Sequence, residues 1–166
     1  MDYGELIVPP DAGEMVWLMG LGARYIISGE RTGGGVSVVE HPIKPKSLAA
    51  PLHTHSREDE ISFVIEGRIG VQIGEQVAVA GPGTTVFKPR GIPHAFWNEG
   101  EEPARVLEMI TPGGFEGYFR EMSALFAASP TGMPDPQRAV ALFAKYGLQM
   151  DVESIPRLIQ AHNLIG

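Results

Sequence analysis

Cysteine is absent from the 166-residue chain. Thiol nucleophiles, cysteine-ligated zinc, iron–sulfur clusters and disulfide scaffolds are excluded with it. Basic residues are few: 13 Lys and Arg stand against 20 Asp and Glu, a net charge of −7. No basic run exceeds Lys44-Pro45-Lys46, so no surface that tracks nucleic-acid phosphates is expected. Long apolar runs are missing as well. The longest, Met15 to Ala23, is broken by Gly20 and Gly22 and falls far below the ~20 residues that span a bilayer. Asp2, Glu5, Asp11 and Glu14 give the N-terminus the wrong charge for a secretory signal. The expectation is one acidic cytoplasmic domain with neither a nucleic-acid nor a membrane partner. At 43% hydrophobic residues, it has enough apolar material to bury a core.

What is present divides into two textures. Up to about residue 110, short β-rich runs alternate with Gly and Pro punctuation. Strands are expected near 16–19, 23–28, 36–41, 61–66, 68–73, 76–80, 84–88, 94–97 and 104–110. Ile69, Val71 and Ile73, then Val77 and Val79, fall at period two around a Gly74-Glu75 reversal. Short strands with close turns point to an all-β sandwich or barrel. After Thr111-Pro-Gly-Gly114 the period becomes helical. Phe115, Phe119, Met122 and Phe126 form one stripe, and Ala139, Leu142, Phe143 and Tyr146 form another behind an Asp135-Pro136 start. Ser154 opens a third segment carrying Ile155, Leu158 and Ile159. The domain reading is a β body over 1–114 and a helical tail over 115–166, its stripes packed on the outside of the body.

Two glycine-rich stretches carry no nucleotide chemistry. Thr32-Gly-Gly-Gly35 is followed by Val36, Val38 and Val39 rather than a helix, and lacks the Lys-Ser/Thr pair of a phosphate loop. It reads as a turn. In Gly20-Leu-Gly22 the third fingerprint glycine is replaced by Tyr25.

Three of the five histidines sit in two closely spaced segments. His53 and His55, two apart on extended chain, leave one face of a sheet. Glu60 has the other parity and joins them only if Ser56 to Asp59 makes a bulge or turn. His94 starts another apolar strand after a Pro-rich turn. Three imidazoles and one carboxylate form a borderline-soft set, which suits one divalent first-row ion (Mn, Fe, Co, Ni, Cu or Zn) better than Ca²⁺ or Mg²⁺.

These segments resemble the two signature motifs of the cupin superfamily. The first fits His-x-His-x4-Glu-x6-Gly at His53, His55, Glu60 and Gly67. The second fits Gly-x5-Pro-x-Gly-x2-His-x3-Asn at Gly83, Pro89, Gly91, His94 and Asn98. The departure is Ser47, where the family places a leading glycine. The flanks, Ile27 to Gly35, Glu58-Asp-Glu60 and Lys145-Tyr-Gly-Leu148, are similar to bacterial quercetin-dioxygenase-like monocupins.

The resemblance implies a cupin jelly-roll β-barrel with a short C-terminal helical extension. It implies a metal held by His53, His55, Glu60 and His94, with Glu60 also taking a substrate proton. Phe63, Phe87, Phe96 and Trp97 are candidates for an apolar wall. Parity with His94 favours Phe96 there and places Trp97 under the tail. Asn98 and Gly91 are assigned to turn geometry. The implied activity is a dioxygenase acting on a small enolic or phenolic compound, with dioxygen as co-substrate. The alternatives are a metal-dependent isomerase or epimerase, and a non-catalytic binding or sensor domain. The family's habit and the unpaired edges of an open jelly roll make a homodimer the expected assembly.

Overall fold

The structure is a computed structural model, described here over residues 6–165. Asp2 and Glu5, and the extreme ends of both expected regions, lie outside the described residues. Ten strands run from β1 (Met15–Leu18) to β10 (Ala104–Thr111). Between them lie β2 (Leu21–Ile27), β3 (Ser37–Ile43), β4 (Ser47–His55), β5 (Asp59–Glu66), β6 (Ile69–Ile73), β7 (Gln76–Ala80), β8 (Thr85–Lys88) and β9 (His94–Asn98). Helices α1 (Gly117–Ala127) and α2 (Pro136–Tyr146), strand β11 (Leu148–Met150) and helix α3 (Ser154–His162) follow. Two antiparallel sheets face each other in a jelly roll, with orders β1-β2-β3-β10-β5-β8 and β11-β4-β9-β6-β7. Among the described residues, no helix is long and apolar enough to cross a membrane.

Alternation decides what lies between the sheets. On β10, Ala104, Val106, Glu108 and Ile110 are buried and their neighbours less so, the period-two signature of one inward face. Val39, Val64, Ile69, Val71 and Phe96 complete the interior from the facing strands. β9 is buried along its whole length because both its faces are covered. Phe96 points inward, whereas Trp97 packs outward with Ala95 against Leu158 and Leu164 of the tail. The indole lies across from Gly70, its register partner, where any Cβ would collide with the ring.

Two elements escape the sequence pattern. β4 contains Ser47-Leu-Ala-Ala-Pro51, poor in β-branched residues, and its register to β9 shifts between Leu48 and Ala50 and again between Ala50 and His53. Pro51, which has no N–H for a ladder, sits at that second irregularity. β11 is only three residues long and exists by pairing with β4, Leu148 opposite His55 and Met150 opposite His53.

The tail does more than cover the outside. The expected stripe turns into the interior: Phe115, just before α1, meets the His55 ring edge-on at 4.3 Å, and Phe119 on α1 meets His41 at 4.9 Å. α3 lies on the outer face, over Leu48, Leu52, Ala95 and Trp97. α2 starts as its sequence implies, with Asp135 accepting the Arg138 N–H at 2.9 Å and Pro136 in the first turn. It ends at Gly147 in a left-handed conformation.

Candidate metal centre

The structure brings His53, His55, Glu60 and His94 together, with one potential ligand atom from each lying within 4.8 Å of the others. One sheet supplies the imidazoles and the other the carboxylate. His53 and His94 are register partners on β4 and β9, so their rings leave the same face side by side, 4.3 Å apart. After His55, residues 56–58 leave the ladder before β5 begins at Asp59. That break is the turn needed to carry Glu60 to the same interior. Gly91, with φ of +76°, folds the loop before His94 so that its N–H bonds the His55 carbonyl at 2.8 Å. The two motifs are thus tied through backbone as well as side chains. Asn98 closes the next turn, accepting from the Gly100 N–H at 2.9 Å and donating to Glu102 O at 2.8 Å.

The ring orientations follow from hydrogen-bond chemistry. His53 Nδ1 lies 2.7 Å from Pro51 O, and His94 Nδ1 lies 3.0 Å from Ile92 O. A carbonyl only accepts, so both Nδ1 atoms carry protons and both neutral rings present bare Nε2 atoms to the interior. His94 Nε2 is 3.2 Å from Glu60 Oε2, and His55 Nε2 is 3.4 Å from Glu60 Oε1. For His94 this sets two lone-pair atoms against each other unless the imidazole and the carboxylate share a nearby cation or proton. Neither nitrogen of His55 has a hydrogen-bond partner among the described residues, although Glu58 Oε2 stands 3.4 Å from Nδ1. Buried polar atoms without partners are costly. A shared cation satisfies the inward Nε2 atoms and the Glu60 carboxylate together, and the donor set fits a first-row divalent ion.

Electrostatics favours ligand-competent forms. Burial, helped by the neighbouring imidazoles, drives His53 well below the usual histidine range, and burial lowers His94 against the pull of Glu60. Both rings are therefore neutral near pH 7. Burial alone would raise Glu60, but Lys88, His55 and His94 together hold it well below the usual carboxylate range. Lys88, 2% exposed, is a register partner of Glu60 on β8. Its Nζ lies 2.9 Å from Glu60 Oε2 and 3.0 Å from Glu108 Oε2. Ser62 Oγ donates to the same Glu108 oxygen at 2.7 Å. Burial outweighs Lys88 at Glu108 and pushes that carboxyl up to about 7.

Two expected wall residues are elsewhere. Phe63 and Phe87 are 40% and 55% exposed, on the outer face of β5 and β8. The reason is parity: Phe63 is three residues from inward Glu60, and Phe87 is adjacent to inward Lys88. Phe96 is inward as expected, and Phe115 supplies the aromatic contact that no spacing rule assigned. Lys88, Glu108, Ser62 and Glu58 also went unassigned. Parity with Glu60 marks Ser62 and parity along β10 marks Glu108, but only the strand register brings Lys88 to them.

Comparisons with known proteins agree with this geometry. Residues 40–110 match the Cupin_2 model, described as a cupin domain. Germin-like protein 3-7 of Oryza sativa subsp. japonica is 34% identical over 129 residues, 75% of this chain and 52% of that protein. Germin-like protein 1-4 from the same plant is 30% identical over 133 residues, covering 72% and 55%. The chain spans about half the length of these curated relatives. Among solved structures, KdgF from Halomonas sp. gives a TM-score of 0.58 at 16% identity, covering 65% of this chain and 94% of that one. A cupin described as a sugar phosphate isomerase from Silicibacter pomeroyi gives 0.56 at 21% identity, covering 63% and 74%. Oxalate decarboxylase of Bacillus subtilis gives 0.54 at 24% identity, covering 61% and 28%. At these identities the likeness is one of fold.

Proposed function

The chain belongs to the cupin superfamily, and on that premise we propose that it is a metal-dependent oxygenase acting on a small enolic or phenolic compound. The observation that carries the metal is the convergence of bare imidazole Nε2 atoms on an ionised, acceptor-only carboxylate in a buried site. Support for the oxygenase comes from the site's apolar cover and from its flanks. Phe115 on His55, and Phe96 below, make surroundings that exclude water and admit an apolar gas. The flanking segments similar to quercetin-dioxygenase-like monocupins hold that cover in place. Gly29 N–H donates to Glu116 at 2.7 Å, beside Phe115. Gly147 O accepts from Ser56 N–H at 3.0 Å, beside His55.

When bound, a redox-capable first-row ion supplies a Lewis acid for an enolate and an electron path to dioxygen. His53, His55 and His94 would hold it, with the tautomers of His53 and His94 set by Pro51 O and Ile92 O. Glu60 would ligate it through Oε1 and, on detaching, take the enol proton at that oxygen. Its pairing with Lys88 keeps it ionised and ready to accept, at some loss of basicity. The test is oxygen uptake per bound metal ion with a flavonol such as quercetin. We expect turnover by the wild type and at least about a tenfold loss in Glu60→Gln, which keeps shape but not basicity. Loaded wild type that consumes no oxygen with any enol contradicts the oxygenase. Turnover without oxygen then assigns an isomerase, and binding without turnover assigns a binding protein.

A further inference from the structure

We propose that Lys88 is a positioning residue that restricts Glu60 to one ligating oxygen and so keeps a coordination position open for an exogenous ligand. This inference rests on the metal reading above. Lys88 offers three N–H donors and no acceptor, and each has a destination. Two point to Glu60 Oε2 at 2.9 Å and Glu108 Oε2 at 3.0 Å. The third side of the ammonium lies over the Phe96 ring, 4.9 Å from its centroid. With every donor engaged, Lys88 is not a substrate-binding group. Its effect is on Glu60.

The hold is rigid and one-sided. Ser62 Oγ and Lys88 Nζ converge on the same oxygen of Glu108, so the ammonium is anchored from β5, β8 and β10 together. It lies 2.9 Å from Oε2 of Glu60, the oxygen that His94 Nε2 also approaches at 3.2 Å, while Oε1 faces His55 Nε2 at 3.4 Å. An ion drawing on Oε2 as well would sit against a second cation on the same atom, in surroundings that screen poorly. The carboxylate therefore gives its ion Oε1. Four one-atom ligands on a six-coordinate ion leave two positions, and a two-oxygen Glu60 would leave one.

The probe is azide titrated into the Co²⁺-loaded protein and followed by visible absorption. Lys88→Met alone leaves two buried carboxylates without a counter-charge. The informative variant is therefore Lys88→Met combined with Glu108→Gln, which removes one charge of each sign. Glu108→Gln alone, which keeps Lys88 on Glu60, serves as the reference. We expect wild type and Glu108→Gln to bind azide within about twofold of each other. The double variant should hold one Co²⁺ per chain with an altered spectrum before azide is added, and bind azide about tenfold more weakly. Wild-type azide affinity and spectrum in the double variant would overturn the inference, as would loss of its cobalt. So would a cobalt-loaded wild type that is silent to azide, a result needing no variant. A wild type that takes up no cobalt at all overturns the metal reading itself, which separates the two failures.

Discussion

The two walls of the site are held by different means. On the imidazole wall, the contacts that orient His53 and His94 come from carbonyls two residues back, Pro51 O and Ile92 O. On the carboxylate wall, Glu60 is oriented by Lys88, 28 residues on in the chain (88 − 60), and Lys88 in turn by Glu108 on a third strand. The imidazole wall is thus a property of short peptide segments, and the carboxylate wall a property of the completed sheet. A change far from the ligands in sequence should therefore damage the carboxylate side while leaving the imidazole tautomers intact.

The largest effect expected from this contrast is on stability. Lys88→Met should cost about 3–5 kcal/mol, because it strands a buried charge. Adding Glu108→Gln should recover more than half, as read by denaturant unfolding of the metal-free protein. Next is the cover that the tail lays over the imidazole wall. Phe115→Ala removes a buried ring against His55 and should cost about 3 kcal/mol. The same truncation at outward Phe63 should cost under about 1 kcal/mol. Equal losses at both positions would show that the Phe115 ring is not part of the core.

A smaller effect comes from acid. His41, buried and donating from Nδ1 to Gly22 O at 2.7 Å, is pushed by burial from its ordinary 6.5 down to about 4. Between those pH values the unfolded chain holds the proton and the folded chain does not, so stability rises with pH and is lost as pH falls from 6.5 toward 4. That contribution should be about 3 kcal/mol across the window. Subtracting the unfolding profile of His41→Gln, which keeps a donor to Gly22, isolates it. A flat difference between the two profiles would contradict the assignment.

The same contrast explains what was legible in the sequence. His53, His55, Glu60 and His94 follow from fixed spacings, and the break over residues 56–58 follows from the parity mismatch they create. The inward Phe96, outward Trp97 and the Asp135 cap are local and were equally readable. β4 was not read as a strand because Ala49, Ala50 and Pro51 carry no β signal, and sheet pairing overrides them. β11 has too few residues to announce itself. Lys88 and Glu108 look in sequence like ordinary charges in amphipathic strands; only the β8-β5-β10 register makes them a buried pair. Phe115 read as the first residue of a surface stripe, although the chain turns it onto His55. Glu58, which no spacing rule turns inward, is buried beside the same ring.

The central claim is that these two walls meet on one divalent ion. Metal content per chain, measured by inductively coupled plasma mass spectrometry after reloading and desalting, tests it most directly. The account predicts about one first-row ion per wild-type chain and a loss of most of it in both His53→Ala and His94→Ala. Equal metal content in the wild type and the two variants would contradict it.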